Sequence, residues 1–298
     1  MGCRVDASAR RENAGVNGGL RLHKLHGLGN DFLVALVDEL PKDADAAGAA
    51  AALCHRRRGI GADGLIYAVV HPKIYGRGLS ATMRLWNSDG SSAEVSGNGL
   101  RCLAHAVHRG QMPVPLDLVV RTVAGPRRCS VRPADRPDTV VGTTEMGTPG
   151  SGPQPDRLSR SPEAALSGIL GPDTVEQWDT LDVGNPHVVL AVADPAEVPL
   201  YRAGPAVEAI FSGGINVHFG AVTGPDELTL GVWERGAGAT AACGTGAVAA
   251  AAVFHRWGDV GQNVTVRMAG GDAQVDLAEP VTLKGESTYI ATVELPGV

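Results

Sequence analysis

An α+β fold built from two similar halves is predicted by three features of the 298-residue chain. Glycine-bracketed motifs recur at half-chain spacing, short β-type runs alternate with helical ones, and two small-residue helical runs each follow a glycine cluster. Trp86-Asn87-Ser88-Asp89-Gly90 precedes Ser96-Gly97-Asn98-Gly99 and an apolar run from Leu100 to Val107. Trp233-Glu234-Arg235-Gly236 precedes Cys243-Gly244-Thr245-Gly246 and a run from Ala247 to Phe254. Asn87 and Glu234 are 147 positions apart, as are Ser96 and Cys243. Gly29-Asn30-Asp31-Phe32 and Gly184-Asn185-Pro186-His187 form a third pair, 155 apart. Three motifs in one order at nearly one separation read as an internal duplication of about 150 residues.

The elements follow in order. Met1 to Asn17 is polar, carries arginines and lacks an apolar segment, so residues 1–20 read as a loose extension and not a secretory signal. Leu33–Val37, Leu118–Thr122, Val188–Val192 and Val264–Met268 are β-type runs. Ala81–Trp86 alternates as a half-buried antiparallel strand does. Asp43–Arg57, Gly97–Arg109, Ser161–Leu170 and Gly244–Trp257 are helix candidates. Gly147–Arg160, rich in Gly, Pro and Ser, reads as a long connecting loop. The expected domains are 21–145, rejoined by a last strand at about 288–298, and 146–287, each of mostly antiparallel strands around a central helix.

Composition narrows the function. The net charge is −6 and no long basic run occurs, so neither nucleic acid nor an anionic membrane is the expected partner. His55-Arg56-Arg57-Arg58 reads as a solvated helix end before Gly59. No apolar stretch approaches the roughly 20 residues that span a bilayer. The five cysteines (Cys3, Cys54, Cys102, Cys129, Cys243) match neither a zinc site nor a disulfide framework, which points to free thiols in a reducing, cytoplasmic setting. The nine scattered histidines lack metal-ligand spacing.

Cys243-Gly244-Thr245-Gly246 opens a helix, whose free N–H groups and positive dipole end suit a carboxylate. The same placement favours a thiolate, lowering a cysteine from about 8.5 to roughly 3.5–7.5. Cys243 is therefore expected to be alkylated faster than Cys54, Cys102 or Cys129. Ser96-Gly97-Asn98-Gly99 is the matching motif. Two such helix starts facing one another would hold one carboxylate and put a side chain on each face of its α-carbon. That is the geometry for removing a proton on one face and returning it on the other. Amides that stabilise the carbanion's charge make a pyridoxal cofactor unnecessary.

These residues carry a resemblance to the diaminopimelate epimerase family. It runs from about Leu22 onward and takes in His26-Gly27-Leu28-Gly29-Asn30-Asp31-Phe32, Gly59-Ile60-Gly61-Ala62-Asp63-Gly64, Asn87-Ser88-Asp89-Gly90-Ser91, Gly97-Asn98-Gly99-Leu100-Arg101, Gly184-Asn185-Pro186-His187, Ile215-Asn216-Val217 and Glu234 through Gly246. The resemblance implies a cofactor-free isomerase, a homodimer, taking LL-diaminopimelate to the meso isomer for lysine and cell-wall synthesis. It implies that Cys243 is one of two catalytic cysteines, with Glu234 and His187 assisting. Asn30, Asn87, Asn185, Asn216 and Arg235 would grip the substrate, chiefly at its distal end, and Gly97, Asn98, Gly244 and Thr245 would bind the reacting carboxylate. Two positions depart from the pattern. Ser96 stands where the other cysteine belongs, and Ala239 where many members have Glu. Cys102 is no substitute for that cysteine, lying about 9 Å along the helix from Ser96. Because a hydroxyl is a far weaker acid than a thiol, two other readings stand beside the first: a related racemase or dehydratase, and a non-catalytic amino-acid-binding protein.

Overall fold

The computed structural model describes residues 19–71, 78–109, 115–156 and 161–296. The expected N-terminal extension lies almost wholly outside these residues, and Cys3 lies outside them. The first half contains β1 (Leu20–Gly27), β2 (Asn30–Leu36), α1 (Asp43–Leu53), β3 (Gly64–His71), β4 (Ser80–Asn87), β5 (Ser92–Ala93), α2 (Gly97–Arg109), β6 (Leu116–Thr122), β7 (Gly125–Pro133) and β8 (Thr139–Glu145). The second contains β9 (Gly150–Ser151), α3 (Pro162–Leu170), β10 (Val175–Asp182), β11 (Pro186–Val192), α4 (Leu200–Glu208), β12 (Asn216–Gly224), β13 (Glu227–Glu234), β14 (Gly238–Ala239), α5 (Gly244–Trp257), β15 (Asn263–Met268), β16 (Gly271–Asp276) and β17 (Thr282–Leu295).

The halves share one topology. β2 pairs parallel with β3 as β11 does with β12, and β4 parallel with β6 as β13 does with β15. The remaining ladders are antiparallel, and β17 ties the halves together. Its first part, Thr282–Thr288, lies against β8, and Thr288–Leu295 runs on beside β1. This pairing closes the first set of strands into a ring around α2. In the shared β8–β17 ladder Gly142 faces Gly285, at the local two-fold between the repeats.

Each ring is filled by its helix. α2 is buried without interruption from Gly97 to Val107, and α5 from Gly244 to Ala251. A helix enclosed on every side needs no polar face. Alanines at 247, 249, 250 and 251 let the strands come close, with Leu228, Val264, Val266 and Val275 filling the remaining space.

The observed elements depart from expectation in three places. α1 stops at Leu53 instead of continuing to Arg57. The Ile60 and Gly61 amides bond back to the Leu53 carbonyl, and a side chain at Gly59 would meet the Ala52 carbonyl oxygen at 2.3 Å. The basic cluster after it is more than a solvated end, because Arg56 bonds both Asp31 and Asp63. α4 escapes notice in the sequence because Gly204 and Pro205 read as helix breakers. Gly204 is required by Trp233, whose Cγ would lie 2.4 Å from an added Cβ. The connecting loop contains the short β9, which pairs with β10.

The two central helices meet end to end. A Cβ built on Gly244 would lie 3.0 Å from the Gly97 Cα, and one built on Gly97 would lie 3.2 Å from the Gly244 Cα. Leu283 Cδ2 covers the junction, 2.7 and 2.9 Å from the two built positions. Truncating this buried side chain to alanine removes contact with both helix starts. Leu283→Ala is expected to lower stability by about 3 kcal/mol, read as a reduced urea midpoint at unchanged slope.

Candidate active site

The two helix starts are built alike. Gly99 N–H donates to Ser96 Oγ at 3.1 Å, and Gly246 N–H to Cys243 Sγ at 3.3 Å. The Leu100 amide bonds the Ser96 carbonyl and the Ala247 amide the Cys243 carbonyl, each at 2.9 Å. Ser96 and Cys243 thus cap equivalent helices. The amides of Gly97, Asn98, Gly244 and Thr245 occupy first-turn positions, which have no partner within a helix.

One narrow cavity of about 40 Å³ runs between the halves, room for a few waters. Asn30, Asn87, Ser96, Asn185, Asn216, Glu234 and Arg235 all line it. His187, Asn98, Cys243 and Thr245 are buried behind this surface, together with Gly97 and Gly244. Most of the lining amides are held from behind. Asn30 Nδ2 donates to Asp63 Oδ2 at 2.9 Å, and its Oδ1 accepts from Asn98 Nδ2 at 3.1 Å. Asn216 Nδ2 donates to the Pro186 carbonyl, while its Oδ1 accepts from the Arg235 amide. Asn87 donates to Ser91 Oγ. Arg235 reaches across the cleft to Glu94, with Nη2 3.2 and 3.0 Å from the two carboxylate oxygens.

The electrostatics around Cys243 differ from the expectation of a lowered thiol. Burial is the largest influence and pushes this thiol well above the usual cysteine range, with Glu234 adding to the effect. The Thr245 hydroxyl and the Gly246 amide act the other way without prevailing. Cys54, Cys102 and Cys129 are pushed up to about 12, chiefly by burial. Cys243, 2 % exposed, therefore holds no accessibility advantage over them in this conformation. Glu234 shares a hydrogen bond with the thiol and accepts a second, at 2.5 Å, from Thr240 Oγ1. Burial pushes its carboxyl up to about 7, so it exchanges protons near neutrality. Ala239 adjoins a wider depression of about 500 Å³ that shares Asp63 and Ala237 with the narrow cavity.

Three residues of this site were not singled out from the sequence. Glu94 pairs with Arg235, and its place two residues before Ser96 was the available signal. Asp63 braces Asn30 and also accepts the Asp31 amide. His218, on β12, lies behind His187. His187 Nδ1 and His218 Nε2 are 2.9 Å apart, and His187 Nε2 is 2.9 Å from Asn185 Oδ1. Since the amide oxygen only accepts, His187 carries its proton on Nε2, and His218 donates to Nδ1. Burial holds both imidazoles below the usual histidine range, so both are neutral at physiological pH.

Solved structures share this two-ring architecture. A predicted epimerase from Pseudomonas aeruginosa superposes with a TM-score of 0.70 at 16% identity, covering 94% of this chain and 100% of its own. A hydroxyproline epimerase from Agrobacterium vitis superposes at 0.63 and 17% identity, covering 93% and 90%. The fold is thus the one these two epimerases share. The sequence profile for diaminopimelate epimerase matches residues 22–150 and 180–289. The Moorella thermoacetica diaminopimelate epimerase is 39% identical over 266 residues, covering 85% of this chain and 90% of its own. The Desulfitobacterium hafniense enzyme is 36% identical over 284 residues, covering 91% and 96%. This chain belongs to the diaminopimelate epimerase family.

The raised Glu234 carboxyl has a consequence for stability. From an ordinary 4.5 to about 7, the folded chain holds a proton that the unfolded chain has released. Stability contributed by the protonated form is therefore present below pH 4.5 and lost as pH rises through about 7. Glu234→Gln removes this dependence. It is expected to be more stable than the parent by about 3 kcal/mol at pH 8, with little difference at pH 4, measured by urea unfolding at both.

Proposed function

We propose that this chain interconverts LL- and meso-diaminopimelate without a cofactor. The observation that carries the reading is the pair of abutting helix starts, with Ser96 and Cys243 as equivalent caps and a polar cavity beside them. The first-turn amides would hold the α-carboxylate and stabilise charge that passes into it as the α-proton leaves. Glu234 takes the thiol proton, and the Cys243 thiolate then removes the α-proton from one face. The Ser96 hydroxyl donates to the other face. Arg235 and Glu94 offer opposite charges to the distal zwitterion, which must part their ion pair on entering. His187 fixes the Asn185 amide through its Nε2 proton. Two domains closing on the substrate, a cytoplasmic location and a homodimer belong to the same proposal.

Serine makes the two faces unequal. In the reverse direction Ser96 would have to act as a base, and a hydroxyl is far weaker than a thiol in that role. In D₂O the protein is expected to exchange the α-proton on the Cys243 face faster than it inverts the centre. Ser96→Cys should raise inversion by about 10²-fold or more, as expected for a restored acid–base group. Chiral chromatography with mass spectrometry reads both quantities. Exchange by neither protein would sink the substrate assignment and leave another amino acid, or binding alone.

The distal grip is tested separately. Arg235→Ala should weaken diaminopimelate binding by about 10- to 100-fold, the loss expected for a charge-assisted bidentate contact, read by calorimetry. Unchanged affinity would mean that the distal carboxylate binds elsewhere.

A further inference from the structure

The mechanism above leaves one charged group of the core unused. Arg101, on α2, is 0 % exposed, and among the described residues no carboxylate pairs with it. Its Nε and Nη1 have no hydrogen-bond partner among the described residues. Among the described residues its one polar contact is from Nη2 to Asn98 Oδ1. Asn98 in turn donates through Nδ2 to Asn30 Oδ1, on the cavity wall, and to the carbonyl of Ala242, the residue before Cys243. The guanidinium therefore lies directly behind the amide side chain that ties the two half-sites together.

The fold makes room for this side chain at the two-fold. A Cβ on Gly142 would lie 2.9 Å from the Arg101 Cγ and Cδ, and one on the facing Gly285 would lie 3.3 Å from Cζ and Nη2. The fold itself does not require a cation there. The equivalent position of the second half, 147 residues on, is Val248, which is buried against strands of the same topology. A lone buried cation disfavours the folded chain, since desolvation is not repaid by a partner. Burial lowers the guanidinium to about 10 while leaving it charged at neutral pH.

We propose that Arg101 is a positioning residue and the standing counter-charge for the substrate α-carboxylate, acting through Asn98 on the first-turn amides of both helices. The free protein holds an uncompensated positive charge behind the amide cluster. The bound carboxylate, and the further negative charge it takes up as the α-proton leaves, compensates it. The Asn98 amide, oriented by the guanidinium, keeps its Nδ2 directed at both half-sites.

The inference rests on the functional reading above, and the experiment separates the two. Diaminopimelate binding is measured by calorimetry, and thermal stability with and without ligand, for the parent, Arg101→Met and Arg101→Lys. Methionine keeps most of the volume without the charge, and lysine keeps the charge without the fork. The free Arg101→Met protein is expected to melt no lower than about 2 °C below the parent, because removing an unpaired buried charge is near neutral or stabilising. Its affinity should fall about 10- to 100-fold and its ligand-induced stabilisation shrink accordingly. Arg101→Lys should bind within about threefold of Arg101→Met if the fork matters most, and within about threefold of the parent if the charge does. Either result supports the positioning role once Arg101→Met has lost affinity. A parent that binds no diaminopimelate overturns the functional reading and this inference with it. Parent-like affinity in Arg101→Met overturns the inference alone, and so does collapse of its free fold, which would make Arg101 a structural residue.

Discussion

Gly97 and Gly244 bring two helix N-termini into contact, and most of the structure is arranged around that contact. The backbones approach so closely that a built Cβ on either glycine lies 3.0–3.2 Å from the other's Cα. Two positive dipole ends pointed at one another repel unless negative charge lies between them. Hydrophobic burial offsets that repulsion. Leu283 covers the junction, each helix fills a ring of strands, and β17 joins the rings by pairing with β16 of the second half and with β8 and β1 of the first. The contact proposed to hold the substrate carboxylate is thus one the chain would not form without its core.

Proton chemistry follows from the same burial. A helix N-terminus by itself lowers a thiol, yet here Cys243 is raised, because enclosure and the nearby Glu234 carboxylate outweigh two hydrogen bonds and a dipole. Glu234, raised to about 7, is then the group of the pair that titrates near neutrality. The thiol can lose its proton to that neighbour inside the site, without exposing the sulfur to water. Ser96 has the same cap geometry as Cys243, but a hydroxyl is a much weaker acid than a thiol. The two-fold of the backbone is therefore not a two-fold of reactivity.

Rigidity comes from amides and ion pairs placed behind the cavity wall. Asp63 and Asn98 hold Asn30, the Asn216 side chain fixes the turn that carries Arg235, and the pair His218–His187 orients Asn185. These bonds hold the amides of the cavity wall in fixed orientations. Arg101 belongs to this layer too, and breaks the symmetry of the repeat at its axis.

The sequence by itself determined the repeat and the type of each helix cap. Spacing of 147 residues, glycines beside Ser96 and Cys243, and apolar runs after them are local facts of the chain. They were enough to predict α2 and α5. The family resemblance, not the spacing, grouped Asn30, Asn87, Asn185, Asn216, Glu234 and Arg235, all of which line one cavity. Tertiary structure alone decided what depends on distant partners. The end of α1 at Leu53 is set by amides folding back, and α4 persists despite Pro205 because Trp233 packs on Gly204. His218, Glu94 and Arg101 gain meaning only from residues 31, 141 and up to 184 positions away: His187, Arg235 and the facing glycine Gly285. The direction of the Cys243 shift was illegible for the same reason. Desolvation depends on everything that surrounds a group, and no stretch of sequence records its own surroundings.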